Sequence, residues 1–368
     1  MSTTVYPKQI IEALEKVRYP GSGKNLVEAE MVDDNIRIDG MNVSFSLIFE
    51  KETDPFIKSV VKSAEATLHA FVDKSLNVAI SVRTRQAARP EAGKLLPDVR
   101  NIVAVSSGKG GVGKSTVAAN LAVALAQAGY KVGLLDADIF GPSMPKMFHL
   151  ENEQIFMIEK DGRELIVPAE KYGVKILSIG FFVNPDTATL WRGAMASNAL
   201  KQLIADADWG DLDYFILDTP PGTSDIHLTL LQTLALTGAV IVSTPQAVAL
   251  ADAKKGIDMY MNDKVNVPIL GLVENMSWFT PAELPTHKYY LFGREGVKQL
   301  AATMQLPLLG QIPVVQGICE GGDEGVPAAL DKENPVGKAF AELAEAVVGQ
   351  TERRNREQPP THVVEVTR

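Results

Sequence analysis

The feature that most constrains this chain is a glycine-rich run ending in Lys, Ser and Thr, at residues 108–116. It matches G-x-x-x-x-G-K-[ST], the pattern of a loop that holds nucleotide phosphates. The apolar residues Ile102–Val105 precede the run and predict a buried strand, and Val117–Ala128 follow it and predict a helix. Strand, loop and helix in this order are the context that the pattern requires, so the sequence predicts a nucleotide site.

The composition of this phosphate-binding loop explains its chemistry. Glycines let the backbone approach phosphates without a Cβ in the way, and the helix start supplies unpaired N–H groups and the positive end of a dipole. Lys114 is predicted to contact the β- and γ-phosphates, and Ser115 to coordinate Mg²⁺. The residues predicted to surround the nucleotide are Gly108, Gly110, Gly111, Val112, Gly113, Lys114, Ser115 and Thr116.

A second lysine, Lys109, directly follows the first glycine of the loop. We predict that it crosses a dimer interface and stabilises charge that develops on the phosphoryl group held by the partner subunit, as an arginine finger does. The alternative is an ordinary exposed loop lysine.

Acidic residues follow two apolar strands of the sequence. Asp136 and Asp138 follow one, and Asp218 ends another, directly before Thr-Pro-Pro-Gly. Asp218 is predicted to hold a water of the Mg²⁺ shell, Asp136 to support these waters, and Asp138 to orient the attacking water. Each aspartate has the alternative role of a solvated loop residue or a helix cap.

Base recognition is predicted from a single position. Asn275 follows the apolar strand Ile269–Glu274, at the carboxyl edge where ligands bind in parallel sheets. Its side-chain amide is predicted to pair with the adenine edge. The alternative is a turn residue at the end of a strand.

Strands and helices alternate throughout residues 100–350, which predicts an α/β domain with a doubly wound, mostly parallel sheet. Several strands are continuously apolar, as expected when helices cover both faces. The predicted strands are Ile102–Ser106, Lys131–Asp136, Val174–Ser178, Tyr214–Asp218, Ala239–Ser243, Ile269–Glu274 and Leu308–Ile312.

The rest of the chain divides into three parts. Residues 1–83 predict a small α+β domain, in which Asp39-Gly40 forms a hairpin turn. Residues 84–99 are polar and predict a linker. Residues 351–368 are polar, include Pro359-Pro360 and predict a disordered tail.

Composition narrows the classes of partner. The formal net charge of the 368 residues is −9, which argues against nucleic-acid binding because that requires a basic face. No apolar run is long enough for a membrane span, so neither nucleic acid nor membrane is expected as a partner.

The sequence contains a single cysteine, Cys319. It excludes an intrachain disulfide and agrees with a cytoplasmic location. It cannot alone supply a four-thiolate iron–sulfur site.

Taken together, the motifs resemble the Mrp/ApbC family of P-loop ATPases, which is related to MinD and ParA. The resemblance covers residues 100–348, and residues 1–90 resemble more loosely the small N-terminal domain of bacterial Mrp proteins. The matching segments begin at Ser106, Asp136, Trp191, Leu217, Glu274 and Gly321.

This resemblance implies an ATP-dependent homodimer that carries iron–sulfur clusters to apoproteins or works with cluster-assembly clients. It also implies that Lys109 acts in trans, that Lys114 and Ser115 hold ATP and Mg²⁺, and that Asp138 positions water.

The sequence departs from that family at one point. Members that bind a cluster have a C-x-x-C pair shortly after the Asn-Met-Ser motif, whereas residues 275–290 of this chain contain no cysteine. The alternative function is therefore an ATP-driven switch or scaffold that holds no cluster itself. A membrane- or nucleoid-positioning ATPase is a third possibility, which the acidic charge and the short tail disfavour.

Overall fold

The computed structural model describes residues 6–29, 31–33, 36–49, 54–84, 95–160, 162–183, 193–281, 283–284 and 286–364. Most of the predicted linker and the last four residues of the predicted tail lie outside these ranges. The chain divides into two compact units, Met1–Glu91 and Ala92–Arg368. No helix in the described ranges is long and apolar enough to cross a membrane.

The N-terminal unit is a three-stranded sheet with two helices. Its elements are α1 (Pro7–Leu14), β1 (Arg37–Asp39), β2 (Asn42–Phe49), α2 (Ile57–Phe71) and β3 (Asn77–Thr84). The predicted hairpin is present: β1 pairs antiparallel with β2, and Gly40 in the turn has a φ of 59°, a value that glycine adopts without strain. β2 pairs in parallel with β3, so α2 is the crossover between them.

One apolar cluster holds this unit together. The helices contribute buried residues at helical spacing, and β2 contributes alternate residues from one face. These are Ile10 and Leu14 of α1, Val60, Ala64 and Leu68 of α2, and Val43, Phe45, Leu47 and Phe49 of β2. The unit therefore has a core of its own.

The larger unit contains an eight-stranded sheet. Its strands are β4 (Val99–Ser106), β5 (Val132–Asp136), β8 (Ala169–Lys171), β9 (Val174–Ser178), β10 (Leu212–Asp218), β11 (Gly238–Ser243), β12 (Ile269–Glu274) and β13 (Leu308–Gln311). A separate hairpin is formed by β6 (Met157–Lys160) and β7 (Arg163–Ile166).

The helices of this unit are α3 (Lys114–Gln127), α4 (Met144–Met147), α5 (Gly193–Ala205), α6 (Asp225–Thr233), α7 (Ala247–Met261), α8 (Gly296–Met304), α9 (Gln316–Glu324) and α10 (Pro335–Glu357). Two short 3-10 helices span Ile179–Phe181 and Ala328–Leu330.

The strand order is β13-β12-β11-β4-β10-β5-β9-β8. All neighbours pair in parallel except β8, which runs antiparallel to β9 at the edge. The prediction of a doubly wound, mostly parallel sheet is confirmed. The edge strand β8 and the β6–β7 hairpin were not predicted, because they are short and largely exposed and so carry little apolar signal.

Two apolar clusters cover the two faces of this sheet. Along β4, Val103 and Val105 belong to one cluster, while Ile102 and Ala104 belong to the other, as the two-residue period of a strand requires. Helices α3 and α10 pack in the first cluster, and α5, α6, α7 and α8 pack in the second. This two-sided cover explains the continuously apolar strands.

The prediction of a disordered tail is wrong for the start of the segment 351–368. Helix α10 continues to Glu357, and Thr351 and Arg354 extend its buried face. Polar residues concealed this pattern, because the aliphatic part of an arginine side chain can be buried. Beyond the helix, the backbone N–H of Val364 donates to the carbonyl of Leu231 on α6 at 2.9 Å.

Candidate nucleotide-binding site

Strand register brings the main acidic residues to the phosphate-binding loop. Asp218 pairs with Val105 of β4 on one side and with Asp136 of β5 on the other. The loop leaves β4 directly after Ser106, and all these strands are parallel. Residues predicted from three separate segments therefore meet at one carboxyl edge of the sheet, where ligands bind in this type of fold.

The backbone of the loop requires glycine at its last turn. Gly113 has a φ of 78° and is the N-cap of α3, and a Cβ on it would lie 2.2 Å from Nδ2 of Asn275. A Cβ on Gly108 would lie 2.1 Å from the backbone carbon of Asp252 in α7. Gly108 and Gly113 thus permit close packing around the loop. The first N–H groups of α3 remain directed at the loop.

Lys114 is the first residue of α3, and it is buried beside Asp218. Its Nζ donates to Oδ1 of Asp218 at 2.5 Å and lies 3.2 Å from Oγ of Ser115. Both ionic side chains are almost inaccessible, at 6% and 0% exposure. Burial raises the pKa of the Asp218 carboxyl, while the adjacent Lys114 ammonium opposes that shift.

The carboxylate of Asp136 is held by donors of the protein. It accepts hydrogen bonds from the backbone N–H groups of Asp138, Ser143 and Met144 and from the hydroxyl of Ser178. Burial, and then the neighbouring Asp218, raise the pKa of Asp136 to about 7. Asp136 therefore organises the loop after β5, in addition to the predicted support of Mg²⁺.

Asp138 lies at the rim of the same site. It is half-buried, and burial raises the pKa of its carboxyl, while Lys114 lowers that pKa and Asp218 raises it further. These influences place Asp138 within electrostatic range of both members of the buried ion pair. A partly exposed carboxylate there is suited to orienting a water molecule.

Asn275 is buried against the loop rather than pointing freely from a strand end. Its Nδ2 donates to the carbonyl of Val112 at 2.8 Å, so its amide fixes the loop. The amide oxygen Oδ1 of Asn275 is therefore the atom that remains for the predicted contact with adenine.

A cavity of about 440 Å³ opens beside Asn275. Gly113 and Thr116 lie on its loop side, and Met276, Phe292 and Pro313 lie on its apolar side. A largely apolar wall with a few polar groups is the usual environment of a bound base. The cavity thus lies where the sequence predicts the base, and base binding there stays a prediction.

Lys109 extends from the loop and is partly exposed. Among the described residues, no hydrogen bond or ion pair engages its ammonium group. Two residues of the motif that supports the resemblance, Trp191 and Arg192, lie outside the described residues.

Two contacts join described parts of the segment without cysteines. Phe279 and Tyr289 form an antiparallel bridge with backbone bonds of 2.8 Å in both directions, and Nζ of Lys288 lies 3.5 Å from the ring centre of Trp278. Within the described ranges, no cluster of three or more His, Cys, Asp or Glu side chains is arranged to hold a metal ion. Cys319 belongs to α9, and its side chain is not among those that the structure describes.

Sequence reasoning missed one buried polar residue near this site, His227 of α6. Its side chain is 1% exposed, and Nδ1 accepts the backbone N–H of the N-cap residue Ser224 at 3.2 Å. The spacing of three residues between Ser224 and His227 is that of a capping box, with His in place of Glu or Gln. That spacing is the feature of the sequence from which the capping role of His227 could have been predicted.

A parallel, doubly wound sheet with a glycine loop after a central strand, a buried lysine and a facing aspartate defines a P-loop NTPase. The chain belongs to the family described as NUBPL iron-transfer P-loop NTPase, whose model matches residues 98–348. Residues 7–82 match a second model, described as iron-sulfur cluster assembly protein. The expected family is thereby confirmed.

Individual relatives agree with this assignment. An iron-sulfur cluster carrier protein of Synechocystis sp. is 42% identical over 348 residues, which cover 93% of this chain and 96% of the relative. A mitochondrial iron-sulfur protein required for NADH dehydrogenase, from Arabidopsis thaliana, is 49% identical and covers 69% of this chain and 79% of the relative. A nucleotide-binding protein of Archaeoglobus fulgidus, solved with ADP, is 35% identical with a TM-score of 0.56, and covers 66% of this chain and 91% of that one.

Proposed function

We propose that this protein binds and hydrolyses ATP and uses hydrolysis to deliver iron–sulfur clusters to apoproteins. The observation that carries the proposal is the buried Lys114–Asp218 pair at the mouth of an intact phosphate-binding loop. Relatives that span nearly the whole chain are named iron-sulfur cluster carrier proteins, which supports the choice of cargo.

Nucleotide binding changes the partner of Lys114. In the structure its ammonium group is paired with Asp218. The β- and γ-phosphates carry more charge than one carboxylate and compete for this ammonium. The pair therefore holds the buried Lys114 side chain in place until the triphosphate binds.

The residues present are suited to Mg²⁺. Oδ2 of Asp218 is buried and has no hydrogen-bond partner among the described residues, and the hydroxyl of Ser115 lies close to the same lysine. When bound, Mg²⁺ would neutralise phosphate charge. Ser115 would bind the ion directly, and Asp218, with support from Asp136, would hold its waters.

Hydrolysis then requires an oriented water and stabilisation of the developing charge. Asp138, at the rim of the site, would orient the water. Lys109 would supply positive charge to the nucleotide of the partner subunit in a homodimer, since in the described chain its ammonium has no partner of its own.

The thiolate ligands of an iron–sulfur cluster must come from more than one kind of protein chain. A single cysteine per copy cannot provide four thiolate ligands, even in a homodimer. We propose that thiolates of the client or of a cluster-assembly protein hold the cluster, and that nucleotide-driven closure presents it. These partners work in the reducing cytoplasm, which agrees with the low cysteine content.

A second function is supported by two contacts within residues 275–290. The Phe279–Tyr289 bridge and the Lys288–Trp278 contact join described parts of this segment through protein groups. The alternative is thus an ATP-driven switch or scaffold that acts on a client and never holds a cluster.

Three measurements on purified protein test these proposals. ATP turnover is measured first, and iron and sulfide are determined after anaerobic reconstitution. Transfer of cluster from a loaded donor to an apoprotein is then compared with and without ATP. ATP-stimulated transfer supports the carrier function. Turnover without bound or transferred cluster supports the switch, and absence of turnover contradicts both.

A further inference from the structure

His227 is a buried titratable side chain near the phosphate site that the proposed function leaves without a role. It lies at the third position of α6, the helix that follows the Asp218 strand after a short connection containing Pro220, Pro221 and Gly222. Its 1% exposure means that its ring makes almost no contact with bulk water.

The hydrogen bonds of His227 define its tautomer. Ser224 donates its backbone N–H to Nδ1 at 3.2 Å, so Nδ1 is an acceptor and carries no proton. Burial, and then the charge of Lys114, lower the pKa of His227 to about 4. The ring is therefore neutral at physiological pH, and its single proton is on Nε2.

This Nε2–H group is buried without a hydrogen-bond partner among the described residues. A buried donor without an acceptor costs free energy, so such groups in folded proteins call for an explanation. The connection before α6 contacts the phosphate-binding loop, because the backbone N–H of Gly222 donates to the carbonyl of Ser107 at 2.8 Å. A ligand held by that loop can therefore supply the acceptor that Nε2–H lacks.

We propose that His227 is a phosphate-sensing residue, whose Nε2–H donates to an anionic oxygen of the triphosphate while its Nδ1 holds Ser224 at the start of α6. The same ring then contacts the nucleotide on one side and the helix N-terminus on the other. This inference rests on the proposed function, because it requires ATP at the site.

The consequence is a path from the nucleotide to other parts of the larger unit. Thr229 of α6 shares a hydroxyl hydrogen bond with Ser197 of α5 at 2.8 Å, and Leu231 accepts the backbone N–H of Val364. Release of the γ-phosphate would remove the acceptor of Nε2–H and loosen the start of α6. Both contacts would then differ between the ATP-bound and the ADP-bound protein.

Two substitutions test the roles of Nδ1 and Nε2 of His227 separately. In His227→Gln the side-chain oxygen can accept from Ser224, as in an ordinary capping box, and the amide N–H₂ is placed near the position of Nε2. In His227→Asn the shorter side chain keeps an acceptor near Nδ1 but has no donor at the position of Nε2. His362→Gln, at an exposed residue near the start of β12, is the matched control.

The readouts are the affinities for a non-hydrolysable ATP analogue and for ADP, each with Mg²⁺, together with ATP turnover. His227→Asn is expected to lose about tenfold in affinity for the ATP analogue, the effect of one hydrogen bond to a charged acceptor, and to lose little for ADP. His227→Gln and His362→Gln are expected to stay near wild type.

An independent measurement needs no stable variant. With ¹⁵N-histidine labelling, the Nε2 signal of His227 is expected to shift with the ATP analogue and not with ADP. Equal loss in the Asn and Gln variants, wild-type behaviour of the Asn variant, or an unmoved Nε2 signal would overturn the inference. Absence of ATP turnover in wild-type protein would instead overturn the proposed function, and absence of any nucleotide binding would overturn both.

Discussion

The side-chain amide of Asn275 donates to the carbonyl oxygen of Val112 at 2.8 Å, and so joins the end of β12 to the phosphate-binding loop. The two residues are 163 positions apart in the sequence. The conformation of the loop therefore depends on a strand that does not adjoin it.

Asn275→Ala is expected to weaken nucleotide binding. The change leaves the carbonyl of a buried valine without its donor, which costs about 1–3 kcal/mol, and it frees the loop to leave its binding conformation. Titration calorimetry with ATP and Mg²⁺ measures the loss. Asn152→Ala, at an exposed loop position, is the control, and equal affinities for the two variants would show that the bond does not matter.

Gly113→Ala is expected to destabilise the protein more than Gly129→Ala. Both glycines have positive φ, 78° and 94°, so both changes introduce backbone strain of about 1–2 kcal/mol. Only at Gly113 does the new Cβ also meet a neighbour, Nδ2 of Asn275 at 2.2 Å, since nothing lies within 4 Å at Gly129. Urea denaturation midpoints compare the variants, and a larger loss at Gly129 contradicts the steric argument.

Lys114→Met is expected to abolish ATP turnover and also to lower the free energy of unfolding by about 3–5 kcal/mol, because it leaves a buried carboxylate unpaired. Adding Asp218→Asn removes that carboxylate, so the double variant should regain much of the stability without regaining turnover. Lys255→Met, at a lysine whose side chain is 75% exposed, should change neither. A double variant no more stable than Lys114→Met would show that the pair is energetically unimportant.

Complementation tests whether Lys109 acts on the partner subunit. Lys109→Ala keeps a complete nucleotide site but lacks the proposed trans lysine, whereas Lys114→Ala has the reverse defect. Each protein alone is expected to be inactive, and a mixture is expected to regain part of the wild-type turnover in mixed dimers. If Lys109 acts within its own chain, or not at all, mixing will restore nothing.

Stability is expected to fall in acid partly through His227. The pKa of its ring is about 4 in the folded protein and about 6.5 when unfolded, so between these values the unfolded chain binds more protons. Folding is therefore weakened as pH falls from 6.5 towards 4 and is unaffected by this group above 6.5, with a loss of about 2 kcal/mol by pH 5.

Unfolding free energies at pH 7.5 and pH 5 check this expectation. The loss between the two pH values should be smaller for His227→Gln than for wild type, because glutamine does not titrate. His362→Gln should lose as much as wild type, and an identical loss in all three proteins would exclude a contribution from the buried ring.

Much of the site could be predicted from the sequence because its signals are local. The glycine pattern before α3 reports a backbone conformation and a helix N-terminus within a few residues. Asp136 and Asp218 end apolar strands, and parallel strands place their carboxyl ends at one edge. The family resemblance followed from the same short segments.

Other features arise only from tertiary structure, because they depend on partners distant in sequence. The pairing of Asp136 with Asp218 follows from the order of β5 and β10 in the sheet, and the orientation of the Asn275 amide follows from the approach of β12 to the loop. The ordered end of α10 depends on a buried face that Thr351 and Arg354 complete, which polarity alone conceals. The sequence thus determined which chemical groups the site contains, while packing decided which of their atoms are already engaged and which, such as Nε2 of His227, have no partner in the described protein.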